Sequence, residues 1–123
     1  MGRDGSFAEL VEACRTRGCT MEPKEFAAAC ARLARAVRPD WERECLDDHL
    51  ASLIAIGDRY AAAMLLLPAA WGYRVSRSLD AQVTAAVELP DGRGWQEEVC
   101  SDNEGAAVLG ALAATLGAVI HSL

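Results

Sequence analysis

Large aromatic side chains are scarce in this chain of 123 residues, which has two Phe, two Tyr and three Trp. Although 52% of its residues are hydrophobic, twenty-four of these are alanines, so small side chains supply much of the apolar content. A chain of this length corresponds to one domain, which can bury roughly two-thirds of the surface of its unfolded form. We therefore expect a single domain spanning residues 1–123.

No apolar run reaches the roughly 18 residues that a membrane-spanning helix needs, because the longest are residues 61–70 and 106–120. The first residues also lack the apolar stretch of a secretory signal. The net charge of −6 excludes a generally basic surface of the kind that binds nucleic acid or anionic lipid. These absences predict a cytoplasmic protein with neither membrane nor nucleic acid as a partner.

The five cysteines include no Cys-x-x-Cys pair, and an odd number does not fit a secreted disulfide framework. Cys45 and His49 are four residues apart and could share a helix face, as two metal ligands require, but no second pair lies nearby. His49 could also act as a general base beside Asp47 and Asp48, although an exposed helix histidine is the simpler interpretation. The residues thus predict no metal site, no cofactor and no catalytic residue.

Apolar residues recur at helical spacing in the first forty residues and predict two helices. Ser6 and Glu9 form a capping-box pattern that indicates the start of the first helix, and Gly18 is suited to its end. The second helix carries Pro23 in its first turn and is expected to end at Pro39. Its inward stripe consists of Phe26, Cys30, Leu33, Ala34 and Val37.

A longer apolar stripe predicts a third helix, which Asp40 caps and Trp41 anchors against the core. The stripe alternates spacings of three and four as far as Pro68, through Leu46, Leu50, Leu53, Gly57, Tyr60, Met64 and Leu67. A helix of roughly 40 Å, at about 1.5 Å per residue, carries more apolar surface than so small a domain can cover. Either Gly57 breaks this helix, or a second subunit covers part of the stripe.

After the third helix the apolar period changes from helical to alternating, which predicts three strands. The first strand is expected to place Trp71 and Tyr73 on the face opposite to Arg74 and Arg77. Two further strands alternate over residues 83–89 and 95–100, with turn-forming residues between successive strands. The expected sheet is a three-stranded antiparallel meander.

The last segment predicts a helix that begins within residues 101–104 and is apolar almost all round. Gly110, Ala114 and Gly117 form a smooth strip along it, where another backbone can approach closely. The sheet can cover one side of this helix, so the third helix or a partner chain must cover the other. We thus expect an α+β fold in the order ααα-βββ-α, with N-terminal helices and a three-stranded antiparallel sheet packed against long helices.

Residues 46–120 resemble the small phage α/β/α sandwich proteins. The shared features are a helix ending near residue 67, a Trp-led strand, a turn at residues 90–92 (Pro-Asp-Gly), and residues 103–107 (Asn-Glu-Gly-Ala-Ala) opening an Ala-rich helix. The resemblance implies helices on a small antiparallel sheet in a phage or prophage protein without an established activity. It implies no functional residues and favours a non-enzymatic role.

The overlong stripe and the all-round apolar last helix predict a non-catalytic protein-interaction module that forms a homodimer or binds another protein. In this interpretation the excess apolar surface is buried between chains. The predicted interface residues are Leu53, Tyr60, Met64, Gly110, Ala114 and Gly117.

Two other interpretations of the sequence stay open. One is a small-ligand or enzymatic pocket between sheet and helices, in which Arg74 or Arg77 holds an anion. His49 or Cys100 would lie beside that anion. The other is an acidic protein that mimics a polyanion through Glu97, Glu98, Asp102 and Glu104.

Overall fold

The computed structural model of the protein describes residues 3–38, 40–90 and 98–121, and within these it leaves out the side chains of 3–6, 40 and 119–121. The described part has an α+β fold whose element order confirms the prediction, except that two helices replace the third. In chain order the elements are α1 (Arg3–Thr16), a 3₁₀ turn (Gly18–Thr20), α2 (Pro23–Val37), α3 (Asp40–Ala55), α4 (Arg59–Leu66), β1 (Gly72–Arg77), β2 (Val83–Glu88), β3 (Val99–Ser101) and α5 (Glu104–His121).

The first helix begins earlier than the capping-box pattern predicts. α1 starts at Arg3, so Ser6 lies inside its first turn and does not occupy the N-cap position. A Ser-x-x-Glu pattern suits the first turn of a helix as well as its cap, so it does not fix the first residue. The expected end is confirmed: α1 stops at Thr16, and Gly18 follows with a φ of +36°.

α2 is the amphipathic helix that the spacing predicts. It begins at Pro23, where the missing N–H costs nothing, and ends at Val37. The predicted stop, Pro39, lies outside the described residues. The guanidinium of Arg59 lies 5.2 Å from the ring centroid of Phe26, and this contact joins α2 to the start of α4. The buried residues of α2 are Phe26, Ala29, Cys30, Leu33 and Ala34.

Gly57 breaks the predicted long helix into α3 and α4. Gly57 has a φ of +84°, and its N–H donates to the carbonyl of Ile54 at 3.0 Å, while that of Asp58 donates to Leu53 at 2.9 Å. These two bonds form a Schellman motif, which ends a helix at a left-handed glycine. Asp58 then caps α4, because its Oδ1 accepts the N–H of Ala61 at 3.0 Å. The apolar stripe is therefore not one continuous helix.

α3 lies at the periphery, and Trp41 is not the apolar anchor that the sequence predicts. The side chain of Trp41 is 79% exposed. α3 packs against α2 and α4, so it is covered along one side, and its first turn carries Trp41 away from that side. Leu50 is the one buried side chain among those described in α3. The side chains that are partly buried against the core are Leu46, Leu53 and Ile54.

The sheet has the antiparallel order β1-β2-β3, which confirms the predicted meander. Val75 pairs with Ala85, and Ala85 pairs with Val99, so these side chains share a face. This inner face packs against α5 through β2 and β3. Residues 95–97 of the predicted third strand lie outside the described part. The inner-face residues of β2 and β3 are all buried, and they are Val83, Ala85, Val87, Val99 and Ser101.

α5 is enclosed by elements of its own chain. Asn103 caps it, with Oδ1 accepting the N–H of Ala106 at 2.9 Å, as the N-cap prediction expects. The sheet, α1 and α4 pack around it. A Cβ on Gly110 would lie only 2.8 Å from Val99 and 3.1 Å from Cys14. The close backbone approach predicted for this helix is thus made by α1 and β3. Among the described helices, none combines the length and apolarity needed to cross a membrane.

Two glycines with positive φ allow a matched test of this packing. At Gly57 an added Cβ meets nothing within 4 Å, so Gly57→Ala is expected to cost about 1 kcal/mol of unfolding free energy, from backbone strain alone. At Gly18 a Cβ would overlap the Asp102 carboxylate and lie 2.7 Å from the buried Ser101 Oγ. Gly18→Ala is therefore expected to cost about 3 kcal/mol. Urea unfolding measures both values, and equal losses would contradict the packing of the 3₁₀ turn on the segment that precedes α5.

Candidate functional site

The two arginines of the predicted anion site lie on opposite faces of β1. Arg74 pairs in register with Ala86, on the face of the sheet opposite to the inner face. Arg77 pairs with Val83, whose side chain belongs to the inner face. Since Arg77 follows Tyr73 by four residues, it shares the face of this tyrosine. Only Arg74 is therefore separated from the aromatic residues in the way the sequence interpretation assumed for both arginines.

Each of these arginines contacts a carboxylate of the same chain. Nη2 of Arg74 lies 2.5 Å from Oε2 of Glu98, and Nη2 of Arg77 lies 3.0 Å from Oε2 of Glu104. All four side chains are about half exposed, so each ion pair contributes at most about 1 kcal/mol to stability. The pairs nevertheless compensate the positive charge of β1. An anion at either arginine would have to compete with the resident carboxylate.

His49 and Cys100 do not join the arginines in one site. His49 is exposed on α3, in an open depression with Arg38 and Trp41. Arg77 borders a separate open depression at the turn between β1 and β2. Cys100 lies in β3, and its exposed thiol is 3.4 Å from the side-chain carbonyl oxygen of a glutamine in the β1–β2 turn. Within the described residues, no group of three His, Cys, Asp or Glu side chains could hold a metal ion.

The acidic residues of the polyanion hypothesis are also engaged within the chain. Glu97 lies outside the described part, while Glu98 and Glu104 pair with the arginines of β1. Asp102 accepts the backbone N–H of Cys19 at 2.9 Å and the thiol of Cys19 at 3.2 Å. These bonds, the backbone one first, hold the pKa of Asp102 below its ordinary value. They tie the 3₁₀ turn to the segment that precedes α5.

The predicted interface residues divide into two groups. On α5, Gly110 is buried, and a Cβ on Gly117 would lie 3.8 Å from the Cβ of Phe7 in α1. Ala114 is partly buried against the core. α1 thus packs against this strip. The sequence predicted that another backbone approaches the strip closely, but it did not identify the element. The group on α3 and α4 is also partly buried, and it consists of Leu53, Tyr60 and Met64.

β1 is an edge strand that is largely uncovered on both faces, a feature that the sequence interpretation missed. In the described part of the sheet, β2 pairs with one side of β1 and no strand pairs with the other. Four of the six residues of β1 are exposed and none is buried, whereas four of the six in β2 are buried. The physical reason is that α5 packs against β2 and β3 and leaves β1 at the margin of the core.

Apolar and aromatic side chains follow the inner face of this edge. Tyr73 is 50% exposed, and Leu79 in the β1–β2 turn is fully exposed. Trp71 and Val75 are half-buried against the core. Tyr60 of α4 is half-buried against the same core, and burial first, and then the charge of Tyr73, raise its pKa. We call these five residues the β1 margin. The predicted interface residue Tyr60 therefore belongs to the same surface as the open edge.

No protein-family model matches this chain, and neither a curated protein nor a solved structure matches it. The resemblance to small phage α/β/α sandwich proteins stays a prediction.

The five cysteines offer a test of the described packing. Burial raises the pKa of Cys14 and of Cys30 to about 12, while Cys19, Cys45 and Cys100 are exposed. We expect a thiol reagent at mildly alkaline pH to label the three exposed cysteines in the folded protein and all five in denaturant. Peptide mass spectrometry identifies the labelled sites. Labelling of Cys14 as fast as Cys45 would contradict the packing of α1.

The same experiment tests the contact between Cys19 and Asp102. The hydrogen bond to this carboxylate raises the pKa of Cys19, which lowers the fraction of reactive thiolate. Asp102→Asn is therefore expected to speed the labelling of Cys19 severalfold. Glu104→Gln removes a nearby carboxylate that does not contact the thiol, so it serves as the control and should leave the rate unchanged. Equal rates in both variants would show that the contact is absent.

Proposed function

We propose that this chain is a non-catalytic protein-interaction module that forms a homodimer through the open edge of its sheet. The observation that carries the proposal is β1, a six-residue edge strand whose outer side has no partner strand in the described part of the chain. Such an edge presents backbone N–H and C=O groups that favour pairing with a further strand. A second copy of the chain supplies an identical strand, as a two-fold symmetric contact requires.

The structure changes the reasons for expecting a dimer. The overlong stripe is divided at Gly57 and its leucines are buried or partly buried in the same chain, while α5 is covered by α1, α4 and the sheet. Neither surface by itself therefore calls for a second chain. What is left at the surface near the edge is the β1 margin, with Tyr73 half exposed and Leu79 fully exposed. This apolar surface continues the open edge, so both can be covered by the same partner.

Two properties of β1 favour pairing with a second copy over an edge that stays in contact with solvent. Natural edge strands are often protected by proline, by a bulge or by charged side chains. The sequence of β1 contains no proline, and all six of its residues pair in unbroken register with β2. Glu98 and Glu104 compensate its arginine charges in part, so a second identical strand meets less repulsion than the sequence alone suggests, provided that no arginine lies directly opposite its own copy. Because stable interfaces bury at least about 1,000 Å² in total, the β1 margin must contribute besides the strand itself.

The alternative of a ligand-binding or enzymatic pocket has less support. Arg74 and Arg77 lie on opposite faces of β1 and contact carboxylates, and His49 lies on α3 in a different depression. The inner face of β2 and β3 packs directly on α5. These positions do not converge on one bound molecule.

The mass of the chain in solution tests the proposal. Light scattering on the full chain, over a range of micromolar concentrations, is expected to give twice the chain mass of 13.1 kDa. Dilution should return the 13.1 kDa species, because a contact of this limited size dissociates measurably. A reducing agent must be present, since exposed Cys19, Cys45 and Cys100 could otherwise link chains covalently. A constant mass of 13.1 kDa throughout would overturn the proposal.

A further inference from the structure

We infer that two copies pair antiparallel along β1 with Val75 of one opposite Val75 of the other, which joins their sheets into one of six strands. This inference rests on the proposed homodimer and specifies its register. It depends on which backbone groups of β1 face outward, on the side chains that each register brings together, and on the exposed residues at both ends of the strand.

The pairing of β1 with β2 fixes the outward groups. The N–H of Ser78 donates to the carbonyl of Gln82 at 2.8 Å, so these two residues form a hydrogen-bonded pair. In an antiparallel ladder such pairs recur at every second residue. Gly72, Arg74 and Ser76 therefore direct their N–H and C=O groups toward β2. The groups of Tyr73, Val75 and Arg77 point away from β2, toward the open edge.

Two symmetric registers use these outward groups and pair five of the six residues of β1. One is centred on Arg74 and the other on Val75, because the midpoint of the strand lies between them. A register centred on Arg74 sets this residue directly opposite its own copy, and like charges opposite each other are destabilising. The register centred on Val75 instead packs two β-branched side chains against each other. It is therefore the favoured arrangement.

The favoured register also complements the rest of the inner face. Two residues from the centre, Tyr73 of each copy comes opposite Arg77 of the other, so a guanidinium meets an aromatic ring twice in the dimer. Two residues further out, on the same face, Leu79 of the β1–β2 turn comes near Trp71 of the second copy. Leu79 is the most exposed large apolar side chain described in the chain. In this register the residues that are exposed in a single chain, Tyr73 and Leu79, each lie opposite a side chain of the second copy that can cover them.

A proline at position 75 tests the hydrogen bonds of this contact. The N–H of Val75 points away from β2, so Val75→Pro removes a donor from the edge and keeps the ladder between β1 and β2. The dimer loses two such donors, so we expect its dissociation constant to rise about 100-fold. Val75→Thr keeps the N–H and the branched shape and is the matched control. Its dissociation constant should stay within about fivefold of the original value.

A pair of charge variants at position 73 tests the register. Tyr73→Lys places a positive charge opposite Arg77 of the second copy, whereas Tyr73→Glu places a negative charge there. We expect the lysine variant to dissociate at least about tenfold more readily than the glutamate variant. Tyr73 is half exposed, so both variants should fold, and circular dichroism checks this. These variants decide the question if Val75→Pro does not fold.

The outcomes separate this inference from the proposed function. A chain that is monomeric before any substitution overturns the proposed function, and the inference with it. If the chain is dimeric and the two Tyr73 variants dissociate equally, the register is wrong although the homodimer stands. Dissociation caused by Leu53→Ser, with the proline variant as dimeric as the unsubstituted chain, would place the interface on α3 instead of β1.

Discussion

The packing around α5 determines the arrangement of the rest of the molecule. This helix is almost entirely apolar, so it must be covered on several sides, and the chain covers it with α1, α4 and the inner face of the sheet. The fit is close at Gly110, where a side chain would collide with Val99. Because one helix cannot underlie a whole twisted sheet, α5 buries β2 and β3 and leaves β1 at the margin of the core.

The exposure of β1 follows from this packing and links the fold to the proposed function. The same chain that covers most of the described part of α5 has no further element, among the described residues, for the outer side of β1. The aromatic and apolar residues of the β1 margin lie beside the backbone N–H and C=O groups on this outer side. Ion pairs with Glu98 and Glu104 meanwhile compensate the two arginines of the strand. An edge strand with these side chains is suited to pair with the same strand of a second chain.

Much of the fold follows from local patterns in the sequence. The alternation of β2, the stripe of α2 and the cap of α5 at Asn103 were all predicted, because each depends on neighbouring residues. The break at Gly57 had a local signal as well, a glycine suited to end a helix followed by an aspartate suited to start one. The exposure of Trp41 could not be predicted, because helical periodicity does not show how far the neighbouring helices extend.

The candidate site was harder to predict for a similar reason. Alternation assigns faces within a strand, but the order of strands and the area that a helix covers depend on the whole fold. Predicting the surface of β1 required knowing that α5 packs against β2 and β3 and not against β1. The smooth strip on α5 likewise does not identify α1 as its partner. Arg77 could have been assigned from parity alone, since it shares the face of Tyr73.

Amide hydrogen exchange at Val75 tests the central claim most directly, because its N–H faces the edge of the sheet while that of Arg74 faces β2. If the edge is the dimer contact, exchange at Val75 slows as the protein concentration rises through dimer formation, and exchange at Arg74 is slow throughout. Fast exchange at Val75 in a sample that light scattering shows to be dimeric would contradict the account.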